Sequence, residues 1–124
     1  MRKITILIGG QRIEAVLDDS RTAEAIWSSL PLKGTAYRWG DEFYFYIKAR
    51  CEPEQPREEV EEGDLGYWLE GGAFCIFFGR TPASTGSKPR AASPVNVFGR
   101  VVKGLERLRG IGTRAEVLVR RAEG

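Results

Sequence analysis

Lys3-Ile4-Thr5-Ile6-Leu7-Ile8, then Gly9-Gly10, then Arg12-Ile13-Glu14-Ala15-Val16-Leu17: this stretch decides how the chain is read. Two β-rich segments flank a glycine pair that tolerates the positive φ of a tight turn, so it predicts a β-hairpin. In the second arm Ile13, Ala15 and Leu17 alternate with Arg12, Glu14 and Val16, the pattern of a strand with one wet face. Beyond it, Asp18, Asp19 and Ser20 offer N-cap oxygens to a short helix running to about Leu30. Ala23, Ile26, Trp27 and Leu30 make one apolar stripe, and Pro31 ends the helix. So short a helix is unstable alone and must lie on the strands.

Further along, Asp41 to Ile47 places Phe43, Phe45 and Ile47 on one face and Glu42, Tyr44 and Tyr46 on the other. The hydroxyl-bearing rings belong to the half-exposed side. Val60 to Trp68 and Ala73 to Phe78 predict two more strands around Leu69-Glu70-Gly71-Gly72, and the almost wholly apolar second one should be central. Thr81 to Pro94, rich in Ser, Ala, Pro and Gly, is expected as a long loop. Val95 to Val102 resumes a strand, Gly104 to Arg109 makes one or two helical turns, and Glu116 to Arg120 is a last strand. Many short strands with two short helices and no internal repeat predict a mainly β architecture, an antiparallel barrel forming one domain over residues 1–124.

Composition narrows the function. With 42% hydrophobic and 29% charged residues the chain is ordinary globular protein rather than disordered. A net charge of +2 is too mild for a nucleic-acid binder, although Glu52 to Asp64 is acidic and Lys103 to Arg121 is rich in Arg; both read as solvated patches. The absence of histidine removes Ser-His-Asp and Cys-His catalysis, and with only Cys51 and Cys75 it leaves no structural zinc site. No phosphate-binding loop or dinucleotide fingerprint is present, so no cofactor is expected. The apolar run after Arg2-Lys3 stops at Gly9-Gly10, too short for a signal peptide or a membrane span. A cytoplasmic protein with free thiols is the expectation. The excess of Arg over Lys and the scarcity of Asn, Gln and Met fit a thermophilic source.

One segment, Val97-Phe98-Gly99-Arg100-Val101-Val102-Lys103-Gly104-Leu105, resembles the late strand-to-helix segment of cyclophilins, the peptidyl-prolyl isomerases. Four blocks are similar to the small atypical cyclophilin-like proteins of bacteria and archaea, a family of unassigned function. They are Trp39-Gly40-Asp41-Glu42 with Tyr44; Gly63-Asp64-Leu65-Gly66-Tyr67-Trp68; Phe74-Cys75-Ile76-Phe77-Phe78-Gly79 running into Thr81-Pro82-Ala83-Ser84; and Ser93-Pro94-Val95-Asn96-Val97. The resemblance covers most of the chain and implies a closed eight-stranded cyclophilin-like β-barrel capped by two helices. It does not imply activity. Isomerising cyclophilins use an Arg on a Phe-His-Arg-type strand, and the similar strand here carries Tyr44, Phe45 and Tyr46.

Rotation about a prolyl amide meets a barrier of about 18–20 kcal/mol. Losing a preorganised donor typically costs a factor of roughly 10²–10³ in rate. An isomerase here would need Arg38 or Arg80 as a substitute donor from another strand end. The leading expectation is therefore a non-catalytic module binding a peptide or small ligand in an aromatic groove. Its candidate ligand-binding residues are Arg38, Trp39, Glu42, Tyr44, Tyr67, Trp68 and Thr81. Aromatics with a polar handle favour pockets, although the same rings would also serve to plug the barrel ends. A small closed barrel is filled by its own side chains, so a ligand would sit at its mouth or in an outer groove. Alternatives are a weak prolyl isomerase and an interaction subunit of a larger assembly; nucleic-acid and membrane partners are not expected.

Overall fold

In the computed structural model, which describes residues 2–123, β1 (Lys3–Ile8) and β2 (Gln11–Leu17) form the hairpin that the glycine pair predicts. Gly9 and Gly10 sit at φ 56° and 81°, values that side chains with a Cβ rarely adopt. The helix α1 (Arg21–Ser29) follows, capped by the Ser20 hydroxyl, which accepts from the Ala23 N–H at 3.0 Å. Glu54 caps it a second time: its carboxylate accepts from the Arg21 and Thr22 amides at 3.0 and 2.9 Å. Asn96 ties the same segment down, donating to Thr22 Oγ1 and to the Glu52 carbonyl. Part of the acidic stretch is thus structural rather than a solvated patch.

The remaining elements are β3 (Leu32–Arg38), β4 (Glu42–Tyr46), β5 (Arg57–Glu59), β6 (Asp64–Trp68), β7 (Ala73–Phe77), β8 (Arg90–Lys103), a 3₁₀ turn (Leu105–Gly110) and β9 (Arg114–Arg121). Among the described residues these strands form one antiparallel sheet in the order β2-β1-β9-β3-β4-β7-β6-β8-β5. A further pairing of β2 with β8 joins eight of them in a ring and leaves β5 outside it. The central position expected for β7 is observed: it lies between β4 and β6 and is buried on both faces. No helix among the described residues is long and apolar enough to cross a membrane.

Three assignments differ from expectation. Leu32–Arg38 carries no clean alternation, yet it is a full strand, because pairing to β9 and β4 supplies what its side chains do not; only Ala36 is fully buried. The strand expected from Val60 begins at Asp64, while Arg57–Glu59 forms a separate short strand against β8. The loop expected to reach Pro94 ends at Pro89. Pro94 lies within β8 where the pairing to β5 is irregular, a setting that tolerates a missing amide hydrogen. The second helical segment, expected as one or two turns, is a 3₁₀ turn.

Side-chain alternation splits the interior in two. The larger cluster gathers Ile4, Ile6, Ile8, Ile13, Phe43, Phe45, Phe74 and Phe98. A smaller one, built from Val60, Ala73, Cys75, Phe77, Ala91 and Val95, lies on the opposite face of β4, β6, β7 and β8 and has Tyr44 and Trp68 packed against it. That second cluster supports the site.

Candidate functional site

The alternation of β4 that buries Phe43 and Phe45 turns Glu42, Tyr44 and Tyr46 to the other face. On β6 the same rule turns Trp68 to that face. Trp39 comes from the β3–β4 turn, which is closed by the Trp39 amide donating to the Glu42 carbonyl at 2.8 Å and the reciprocal bond at 3.2 Å. Gly40 holds this turn at φ 60°; a Cβ there would come within 2.8 Å of Pro82 and 2.9 Å of the Thr81 backbone.

Together Trp39, Glu42, Tyr44, Tyr46 and Trp68 line a half-open cavity of about 200 Å³, walled on its remaining sides by Cys75, Ala91, Ala92 and Val95. Tyr44 is the hub. Its ring centroid lies 5.8 Å from Tyr46 and 6.4 Å from Trp68, both edge-on, and 6.0 Å from Tyr37. Trp68 is fixed from two sides. Its indole N–H donates to Ser93 Oγ, and its ring lies where a Cβ on Gly71 would approach to 2.1 Å.

Glu42 is the polar exception in this wall. It is 5% exposed, and its Oε1 is enclosed with no hydrogen-bond partner. Burial pushes its pKa up from 4.5 to about 7, partly offset by the neighbouring Cys75 thiol. That thiol donates to the Ala73 carbonyl at 3.9 Å, and its own pKa is driven well up, first by burial and then by Glu42. A thiol so held is a poor nucleophile.

Of the seven residues expected to bind a ligand, the structure brings Trp39, Glu42, Tyr44 and Trp68 together. Tyr67 is elsewhere: as the neighbour of Trp68 on a strand it points to the opposite face, 1% exposed, its hydroxyl donating to the Ala49 carbonyl at 2.9 Å. Arg38 is also a framework residue. Its guanidinium donates to the carbonyls of Gly40, Arg109 and Ile111, pairs with Asp41 at 2.9 Å, and lies over the Phe78 ring at 5.0 Å. Thr81 is buried behind the Gly40 turn, where its hydroxyl donates to the Arg90 carbonyl and its amide donates to Ser84 Oγ. It organises the loop rather than lining the cavity. Besides Tyr46, Cys75 and Val95 in the lining, sequence reasoning missed Gly71, which makes room for Trp68, and Ala91 and Ala92, whose small side chains leave the opening. The glycine pair after Trp68 was a signal for Gly71; nothing in the loop-like composition announced the alanines.

A family model described as cyclophilin-like matches residues 2–120. Among solved structures, the solution structure of a hypothetical protein from Archaeoglobus fulgidus is similar at a TM-score of 0.83, with 42% sequence identity, covering 98% of this chain and 95% of that one. A search among curated proteins found no match.

Proposed function

The chain belongs to the cyclophilin-like family, and on that premise we propose that it is a non-catalytic binding module seating a small molecule, or one side chain of a peptide, between Trp39, Tyr44 and Trp68. The eight-strand ring supports reading the sheet as a closed barrel whose inside is filled, which leaves the outer face for a ligand. The observation that carries the proposal is the convergence of three amphipathic rings and one buried carboxyl on a single half-open cavity. Sites with mostly apolar walls and a few polar groups are the usual form of small-ligand pockets. A cavity of about 200 Å³ is below the roughly 300–1,000 Å³ that encloses a drug-sized ligand, so it suits one side chain or a small molecule.

The isomerase reading lacks an arginine donor at the cavity. Prolyl isomerisation needs a donor aimed at the twisted amide, whereas the Arg38 guanidinium is engaged by three carbonyls and Asp41, and Arg80 does not line the cavity. The one carboxyl in the lining is an acceptor when ionised, and no guanidinium lines the cavity beside it.

Titrating isotope-labelled protein with small fragments and short peptides tests the proposal by NMR. Shifts should concentrate on the Trp39 and Trp68 indole N–H resonances and disappear in a Trp39→Ala, Trp68→Ala variant. Binding centred elsewhere on the sheet, or acceleration of prolyl exchange in the peptides, would overturn it.

A further inference from the structure

We propose, resting on the binding reading above, that the ligand carries a protonated ammonium group on a short aliphatic stem and that the Glu42 carboxylate receives it at the base of the aromatic cavity. Among the described residues that line the cavity, Glu42 is the one acid and no lysine or arginine accompanies it. Arg90, at the start of β8, is already paired with Glu58 at 2.6 Å. A buried carboxylate whose Oε1 has no partner is an incomplete arrangement, because ionising it without a partner is costly. Either a proton or a cation completes it.

The walls choose the cation. The rings of Trp39, Tyr44 and Trp68 line the cavity, and aromatic rings carry a negative quadrupole on their faces that attracts ammonium groups and disfavours anions. Ala91, Ala92 and Val95 offer an apolar surface to the stem. As to size, an apolar cavity of about 150 Å³ holds benzene, so about 200 Å³ admits an amine of roughly four to six carbons.

Affinity should follow the ionisation of Glu42. The titratable groups facing it are Tyr44 and Tyr46 on its own strand and Cys75 on β7; β6 contributes Trp68, and β8 contributes alanine and valine. Burial raises both Tyr44 and Cys75 above their ordinary values, so they stay neutral near pH 7. With Glu42 raised by burial to about 7, the carboxylate is the minor form at pH 6 and the major form at pH 8, which raises apparent affinity by up to about tenfold.

The test is calorimetric or NMR titration with n-butylammonium, n-butanol and Nα-acetyl-lysine methylamide, on the wild type and Glu42→Gln, at pH 6 and pH 8. Unchanged dispersion of the amide spectrum establishes that the variant is folded. Both amines should bind about tenfold more tightly at pH 8, lose at least tenfold in the variant at that pH, and outcompete n-butanol. Tighter binding of the lysine derivative identifies a peptide lysine as the source, and tighter binding of n-butylammonium a free amine; either supports the shared chemistry. If n-butanol binds as well as n-butylammonium, or Glu42→Gln leaves amine binding unchanged, the cation assignment fails while the cavity stands. If none of the three probes binds, the binding reading itself fails.

Discussion

Replacing Glu42 by glutamine should stabilise the folded protein at alkaline pH and leave it nearly unchanged in acid. In the folded state burial raises the carboxyl from 4.5 to about 7. The unfolded chain therefore releases this proton first. Stability from the protonated form is fully present below about 4.5, declines as pH rises, and stops declining above about 7. The span from 4.5 to about 7, at about 1.4 kcal/mol per pH unit, amounts to about 3 kcal/mol. Glutamine has nearly the same shape and does not ionise. Urea unfolding followed by tryptophan fluorescence at pH 4.5, 6, 7 and 8 gives the difference between variant and wild type directly, since the other carboxyls titrate alike in both. That difference should be roughly 0.4 kcal/mol at pH 4.5 and about 3 kcal/mol at pH 8, which for a chain of this size raises Tm by roughly 10 °C. A difference that does not change with pH would refute the reasoning, because it would mean that Glu42 ionises as freely in the folded protein as in the unfolded one. The same variant is expected to lose amine binding, so stability and function should move in opposite directions.

Two other substitutions separate the cavity from its framework. Gly71→Ala places a Cβ within 2.1 Å of the Trp68 ring, so it should displace that indole and cost about 1–3 kcal/mol; the check is a shifted Trp68 indole N–H resonance together with weakened ligand binding. Tyr67→Phe removes the hydroxyl that donates to the Ala49 carbonyl and should cost about 1 kcal/mol in urea unfolding, with ligand affinity unchanged; a loss of affinity would place Tyr67 at the site after all.

Much of this was legible along the chain because it depends on neighbours in sequence. The glycine pair and flanking alternation specify the first hairpin, and Ser20 with Pro31 bracket the helix, since turns and caps are made within a few residues. The period of two in Glu42 to Tyr46 places a carboxyl and two tyrosines on one face whatever strands pair with it. Applied to Tyr67 and Trp68, the same rule separates them, and only one of the pair reaches the cavity.

What the tertiary structure alone decided is which side chains meet across strands and which are used up. Leu32–Arg38 becomes a strand through its partners β9 and β4. A guanidinium such as that of Arg38 is free or engaged according to carbonyls about seventy residues away. Closure of the ring by β2 and β8, and the meeting of Trp39, Glu42 and Trp68 over Ala91 and Ala92, likewise join residues distant in sequence. Local propensity and periodicity act over one turn or one strand, whereas burial, and with it the perturbed carboxyl of Glu42, is a property of everything packed around it.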